Sequence, residues 1–210
     1  MPVGDLRLTF SWDEITRILT LAKSENPRNY ALISTLALSG RRLGELIGRP
    51  AMQGRRGIVP EVPGVYVRDI NFNGQQIRWT IEKKFEDKAH TKRVVRIKDA
   101  QPELLEILGA WIKHNNLGPD DKLFLISERR VHQVMERYCG LAGITDKARL
   151  CHALRHGFGL QFAKNMEKPT DMMILQDIMD HVKGDQTMAY INLASEDRKK
   201  ALAKVSLSQG

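Results

Sequence analysis

Cysteine is nearly absent: Cys139 and Cys151 are the only two in 210 residues. That rules out a disulfide framework and points to a reducing compartment. Long hydrophobic runs are lacking as well. The longest apolar stretch, around Tyr30 to Leu38, is broken by Ser34 and Thr35 and falls far short of the roughly 20 residues that span a bilayer. The amino terminus, MPVGDLRL, has neither the basic start nor the apolar run of a secretory leader. No internal repeat, low-complexity tract or Pro/Ser-rich linker appears, so one domain over residues 1–210 is expected. Secreted, membrane and fibrous classes are excluded. Acidic residues are outnumbered, 25 Asp and Glu against 33 Lys and Arg, for a net charge of +8. An excess of that size favours a polyanionic partner through counterion release. Hydrophobic residues at 42% and charged residues at 28% describe a globular chain.

Two hydrophobic periods divide the chain. Ser11 followed three residues later by Glu14 has the spacing of a capping box, and Ile15, Ile18, Leu19 and Ala22 continue at helical period up to Pro27. A second helix is expected from about Arg28 to Leu38, stopped by Ser39-Gly40, and a short third from Arg42 to Ile47. Residues 49–64, rich in Gly, Pro and Arg, read as a basic loop. Val65, Val67 and Ile70, then Ile77, Trp79 and Ile81, then Val95 and Ile97 alternate at period two, with Asn73-Gly74 as a hairpin turn. A longer, lysine-rich turn lies near Phe85 to Lys92. Helical stripes resume at Leu104 to Ile112, Val131 to Tyr138, Leu154 to Ala163, Met172 to Met179 and Leu193 to Val205. The expected fold is α+β, mainly α-helical, with a small three-stranded antiparallel β-sheet.

Three clusters carry chemistry. In Ser39-Gly40-Arg41-Arg42-Leu43-Gly44-Glu45-Leu46 a helix-ending glycine puts Arg42 in the first turn of the next helix, where free N–H groups also favour an anion. In Cys151-His152-Ala153-Leu154-Arg155-His156, His152 and Arg155 stand three apart on one helical face. Cys151, His152 and His156 bring zinc to mind, but no partner set completes a tetrahedral site, and no metal is expected. Third, Met179-Asp180-His181 is followed nine residues later by Tyr190. A tyrosine nucleophile needs cations nearby to stabilise its developing phenolate.

In this order the clusters resemble the tyrosine recombinases, the phage integrase and Xer-type family. The family pattern runs T-G-L-R-x-S-E-L, a lysine in a β-hairpin, H-x-L-R-H, then L-G-H and a tyrosine nine residues on. The resemblance assigns catalytic positions to Arg42, His152, Arg155, His181 and Tyr190, with Glu45 as the buttressing acid and His156 in a supporting place. Leu141-Ala142-Gly143-Ile144 fits the family's A-G-I turn. Family spacing puts the lysine at Lys88; Lys84, at the strand end, is the alternative. Arg41, Arg55, Arg56, Lys83 and Lys92 are expected to contact DNA.

What the resemblance implies is a site-specific recombinase acting on double-stranded DNA through a 3′-phosphotyrosyl intermediate, in the cytoplasm, without cofactor, metal or ATP. Type IB topoisomerase-like relaxation and a non-catalytic DNA-binding remnant are the alternatives. The family's N-terminal clamp domain is missing from the pattern, so the chain reads as a truncated or minimal enzyme. Its C-terminal stripe of Leu193, Ala194, Ala201, Leu202 and Val205 is expected to dock on a neighbouring protomer in a homotetramer. Three departures stand out: Ser39 for Thr, Gly44 for Ser, and Asp180 for Gly. The last adds a negative charge beside His181 and is expected to raise its pKa.

Overall fold

The computed structural model describes residues 9–54, 57–84, 91–148, 150–181, 184, 187–192 and 194–195. Ser11 caps helix α1 (Trp12–Glu25): its Oγ accepts from the Glu14 N–H at 3.2 Å, and Glu14 Oε2 accepts from the Ser11 N–H at 2.7 Å. Such a cap contributes about 1 kcal/mol. Helix α2 (Pro27–Ser39) starts on Asn26, whose Oδ1 accepts from the Asn29 N–H at 3.0 Å, with Pro27 in the first turn. It ends at Gly40, φ +62°, where a Cβ would also lie 2.5 Å from the Phe158 ring. Both features require glycine. Helix α3 (Leu43–Ile47) follows at once, with Arg42 as its N-cap.

Residues 49–64 differ from the expected loop. They form an antiparallel arm, strands β1 (Met52–Gly54) and β2 (Gly57–Val59), closed at its base by an Arg49–Val62 bridge. Arg55 and Arg56 lie outside the described residues.

A three-stranded antiparallel sheet comes next, in the order β3 (Ile70–Asn71), β4 (Gln76–Lys84), β5 (Thr91–Asp99). Its first strand is shorter than expected, because Val67–Asp69 form a 3₁₀ turn capped by Asp69 on the Tyr66 N–H at 2.9 Å. Asn73-Gly74 lies inside a four-residue turn, and the positive φ falls on Gln75 (+51°) instead of on that pair. The larger surprise is on β5. Val95 and Ile97 face solvent, 46% and 62% exposed, while Ile77, Trp79 and Ile81 of β4 are buried. Cross-strand pairing puts Arg96 beside Trp79 and Lys98 beside Ile77 on the inner face.

Four more helices complete the chain: α4 (Pro102–His114), α5 (Glu128–Leu141), α6 (Leu150–Lys164) and α7 (Asp171–Ile178). Residues 187–192 are helical as well. The main core joins α1, α2, α4, α5, the first turns of α6 and the inner face of β4. Each large aliphatic side chain fully buried there contributes roughly 1.5–3 kcal/mol. A second cluster, Phe158, Leu160, Ala163, Leu175, Met179, Tyr190 and Ala194, packs α7 and the 187–195 segment against the far half of α6. Among the described residues no helix is long and apolar enough to cross a membrane.

Candidate active site

The junction of these two clusters is where the chemistry-bearing side chains meet. Helix α6 is the spine. His152, Arg155 and His156 project from its first two turns, and Arg155 is buried between two loops. Its Nη1 donates to Gly40 O at 2.5 Å, in the α2–α3 turn, and its Nη2 to Met179 O at 2.6 Å, just after α7. Burial, then the neighbouring Arg42 charge, lower its pKa to about 10. It remains a cation at neutral pH.

Arg42 is 42% exposed at its side chain. Its Nη1 donates to Glu45 Oε1 at 2.9 Å, and the other oxygen of Glu45 accepts from the Arg42 backbone at 3.2 Å. Glu45 is itself buried, so it fixes Arg42 from below, as a buttress would. The Arg42 charge is felt at Arg155, His181 and Tyr190 alike.

Tyr190 is buried with its hydroxyl 2.7 Å from His156 Nδ1. Its ring stacks on His181, centroids 5.9 Å apart and 17° from parallel. Behind it lies Gly159, where a Cβ would come within 2.9 Å of Tyr190 Cε2 and Cζ and 3.1 Å of Met179 Sδ. Desolvation raises the Tyr190 pKa above its ordinary value, outweighing the opposite pull of Arg155 and Arg42. His156 is held down at about 4 by burial first, then by His152 and Arg155. The proton therefore stays on the phenol, and His156 is neutral beside it.

His181 Nδ1 lies 3.0 Å from Thr187 Oγ1. Sequence reasoning expected Asp180 to raise the pKa of His181. The structure bears out the direction of that pull but corrects its weight: burial, Arg155, Arg42 and His156 together lower the pKa to about 4, and Asp180 is the weakest influence. The reason is that Asp180 turns to Arg41, which donates to its carboxylate and to Ile178 O.

Arg41 is the second correction. Expected on the DNA-facing surface, it is 1% exposed and stands 5.6 Å above the Trp79 ring. His152, to which the resemblance assigns a catalytic position, is exposed, edge-on to His156 at 6.0 Å between centroids. It is His156 that reaches Tyr190.

Lys88 lies outside the described residues. Lys84 ends β4 opposite Thr91, and Lys83 pairs with Lys92, so all three flank the expected hairpin turn. Among the described residues no group of three His, Cys, Asp or Glu side chains is placed to hold a metal ion. Burial, Glu128 and Cys139 push the Cys151 thiol up to about 12, which disfavours the thiolate that zinc requires.

Three relations escaped sequence reasoning. Spacing did allow His156 to share the His152 face, at i and i+4. Arg41 and Asp180 were visible as paired departures, Arg where the pattern has Leu and Asp where it has Gly. Thr187 gave no signal.

Comparison with known proteins places these residues in context. The model of the phage integrase family matches residues 59–197. No curated protein matches the chain. Among solved structures, XerA recombinase is similar at 23% identity and a TM-score of 0.64, over 92% of this chain and 64% of that one. XerH site-specific recombinase, in a post-cleavage complex with its palindromic difH substrate, gives 19% identity and 0.64 over 95% and 54%. The Tn1549 transposon integrase, in complex with circular intermediate DNA, gives 17% and 0.59 over 88% and 60%. At these identities the likeness is one of fold, and the chain spans between about half and two thirds of the length of those proteins.

Proposed function

Because the chain belongs to the phage integrase family, we propose that it cleaves and rejoins double-stranded DNA at a specific site, with Tyr190 as the nucleophile. The observation that carries this reading is convergence. Residues 42, 155, 156, 181 and 190, spread over most of the chain, gather around one phenol under the charge of two arginines.

In the proposed reaction Tyr190 Oη attacks the scissile phosphorus, the bond to the 5′-oxygen breaks, and a 3′-phosphotyrosyl link forms. Arg42 and Arg155 offset the charge that grows on the non-bridging oxygens. Arg155 is held by two carbonyls, so it acts as a fixed charge; Arg42, half-exposed, is the mobile fork. In the tautomer whose Nδ1 accepts from the Thr187 hydroxyl, His181 carries its proton on Nε2 and donates it in a hydrogen bond to a phosphate oxygen. His156 orients the phenol instead of stripping it, since a base of pKa about 4 holds a proton poorly. Deprotonation is completed as the Oη–P bond forms, the phenol proton passing through His156 to solvent. The hairpin lysine, Lys88 or else Lys84, protonates the leaving 5′-oxygen. One phosphodiester is exchanged for another of similar energy, so the step balances without ATP, and a second 5′-hydroxyl reverses it.

A nicked suicide duplex tests this directly. Cleavage releases a short fragment, and the protein becomes covalently trapped. Wild type should form an adduct stable to denaturant, and Tyr190→Phe should bind DNA equally but form none. An adduct that persists in Tyr190→Phe overturns the assignment.

A further inference from the structure

Arg41 and Asp180 hold the two loops that carry Arg42 and His181 at a set separation, and they do so from beneath the site. Asp180 has φ +50°, a left-handed backbone that glycine adopts without strain. A side chain tolerated there must gain something elsewhere. The Asp180 carboxylate accepts from buried Arg41 and faces two further cations of the inner sheet surface, Arg96 Nε and Lys98 Nζ, each at 3.8 Å. Arg41 uses its second nitrogen on Ile178 O, and Arg155 takes the next carbonyl, Met179 O. Two arginines thus grip consecutive carbonyls of the turn that ends at His181. At the other end, Arg155 holds Gly40 O and Arg41 is itself the next residue. Arg42 follows in extended conformation, φ −77° and ψ 145°, so with Arg41 pinned inward the neighbouring side chain is directed outward.

We infer that Arg41 and Asp180 are a positioning pair, a buried ion pair that fixes the loops carrying Arg42 and His181 relative to one another at the site of cleavage; this rests on the DNA-cleavage reading above. Neither residue touches the reacting atoms. Without that carboxylate, Arg41 would be a buried cation beside Arg96 and Lys98, and among the described residues the one remaining anion near it is Glu45 at 3.9 Å, which is engaged by Arg42. An unpaired buried charge reorganises its surroundings, and here those surroundings are the two site loops.

The test is a mutant cycle with two readouts. Asp180→Asn keeps a residue suited to the left-handed backbone and removes only the charge; Asp180→Gly also relieves the backbone. Each should slow adduct formation at saturating DNA by roughly tenfold or more, as small misplacements of reacting groups do, while the Kd for DNA stays within about threefold of the parent. Adding Arg41→Leu to Asp180→Gly removes the stranded cation and should restore most of the lost rate, the signature of coupled neighbours. The second readout needs no DNA. The His181 ring resonance in NMR should move in both single variants and return towards its parental position in the double variant. Parental cleavage rates in Asp180→Asn, or a double variant no faster than Asp180→Gly, overturn the inference. If the parent forms no adduct, the cleavage reading fails, and the His181 resonance alone decides whether the pair positions that loop: unmoved, the inference falls too.

Discussion

A single methyl group placed behind Tyr190 separates the positioning of its ring from general stability. In Gly159→Ala the new Cβ would lie 2.9 Å from Cε2 and Cζ of Tyr190. Ordinary carbon contacts begin near 3.5 Å, so the ring has to withdraw by about 0.6 Å. It has little room: His181 stacks on it, and its hydroxyl is tied to His156 at 2.7 Å. Overpacking of this kind destabilises by about 1–3 kcal/mol. A misplacement of that order at a reacting atom slows chemistry by roughly ten- to a hundredfold. Gly157→Ala, two residues earlier on α6, is the matched control. Its Cβ would lie 2.8 Å from Phe10 O and 2.9 Å from Ile15 Cδ1, on the side facing α1 and away from Tyr190. Both variants should lower the urea midpoint by comparable amounts. At a temperature where both remain folded, only Gly159→Ala should form the suicide-substrate adduct slowly. Equal cleavage rates in the two variants, with equal losses of stability, would refute the idea that Gly159 sets the ring.

Three further outcomes are expected. His156 and His181 bind protons near pH 6.5 when unfolded but only at about pH 4 in the fold. Stability should therefore be full above pH 6.5, fall as pH drops towards 4 and level off below. The slope is at most about 1.4 kcal/mol per pH unit for each proton, less here because both rings are partly exposed; a urea midpoint unchanged between pH 7 and pH 5 contradicts it. Lys88→Ala should be crippled on ordinary DNA by roughly 10²–10⁴, yet recover on DNA whose bridging 5′-oxygen is sulfur, since a thiolate leaves without a proton. Rescue seen instead in Lys84→Ala moves the acid to the strand end, and rescue in neither removes the hairpin from acid catalysis. Removing the C-terminal tail should weaken assembly on DNA and leave single-protomer binding intact, measured by complex stoichiometry in native gels. Ala194 is buried in the cluster around Tyr190, so the truncation belongs after residue 195.

What could be read in advance followed the range of the forces involved. The box between Ser11 and Glu14 and the stop at Gly40 are local and were legible. The motifs also named Arg42, His152, Arg155, His181 and Tyr190, and the fold brings Arg42, Arg155 and His181 to the Tyr190 phenol while His152 stays exposed beside His156. Period two found the strands but assigned the wrong face of β5. The pattern counts Val95 and Ile97 as inward, whereas the inner positions go to Arg96 and Lys98. Lys98 is held by Asp177 at 2.7 Å, and both face Asp180. Those carboxylates arrive from about 80 residues away, beyond any window on β5. His156 illustrates the same limit: its place on the helix was plain, but its partner comes from another segment.

Arg155 carries two kinds of duty, and that affects how relatives or damaged copies of this protein should be judged. Its guanidinium joins the turn after α2 to the turn after α7, so losing it would unravel the architecture as well as the chemistry. On the cleavage reading proposed above, a copy that had ceased to cut DNA would still be selected to keep it, for solubility alone. Arg42 is different: half-exposed and, among the described residues, tethered to Glu45 alone, it can be lost with the fold intact. Where a descendant of this chain retains the buried arginine but has exchanged the exposed one, the expectation is a folded DNA binder that no longer breaks strands.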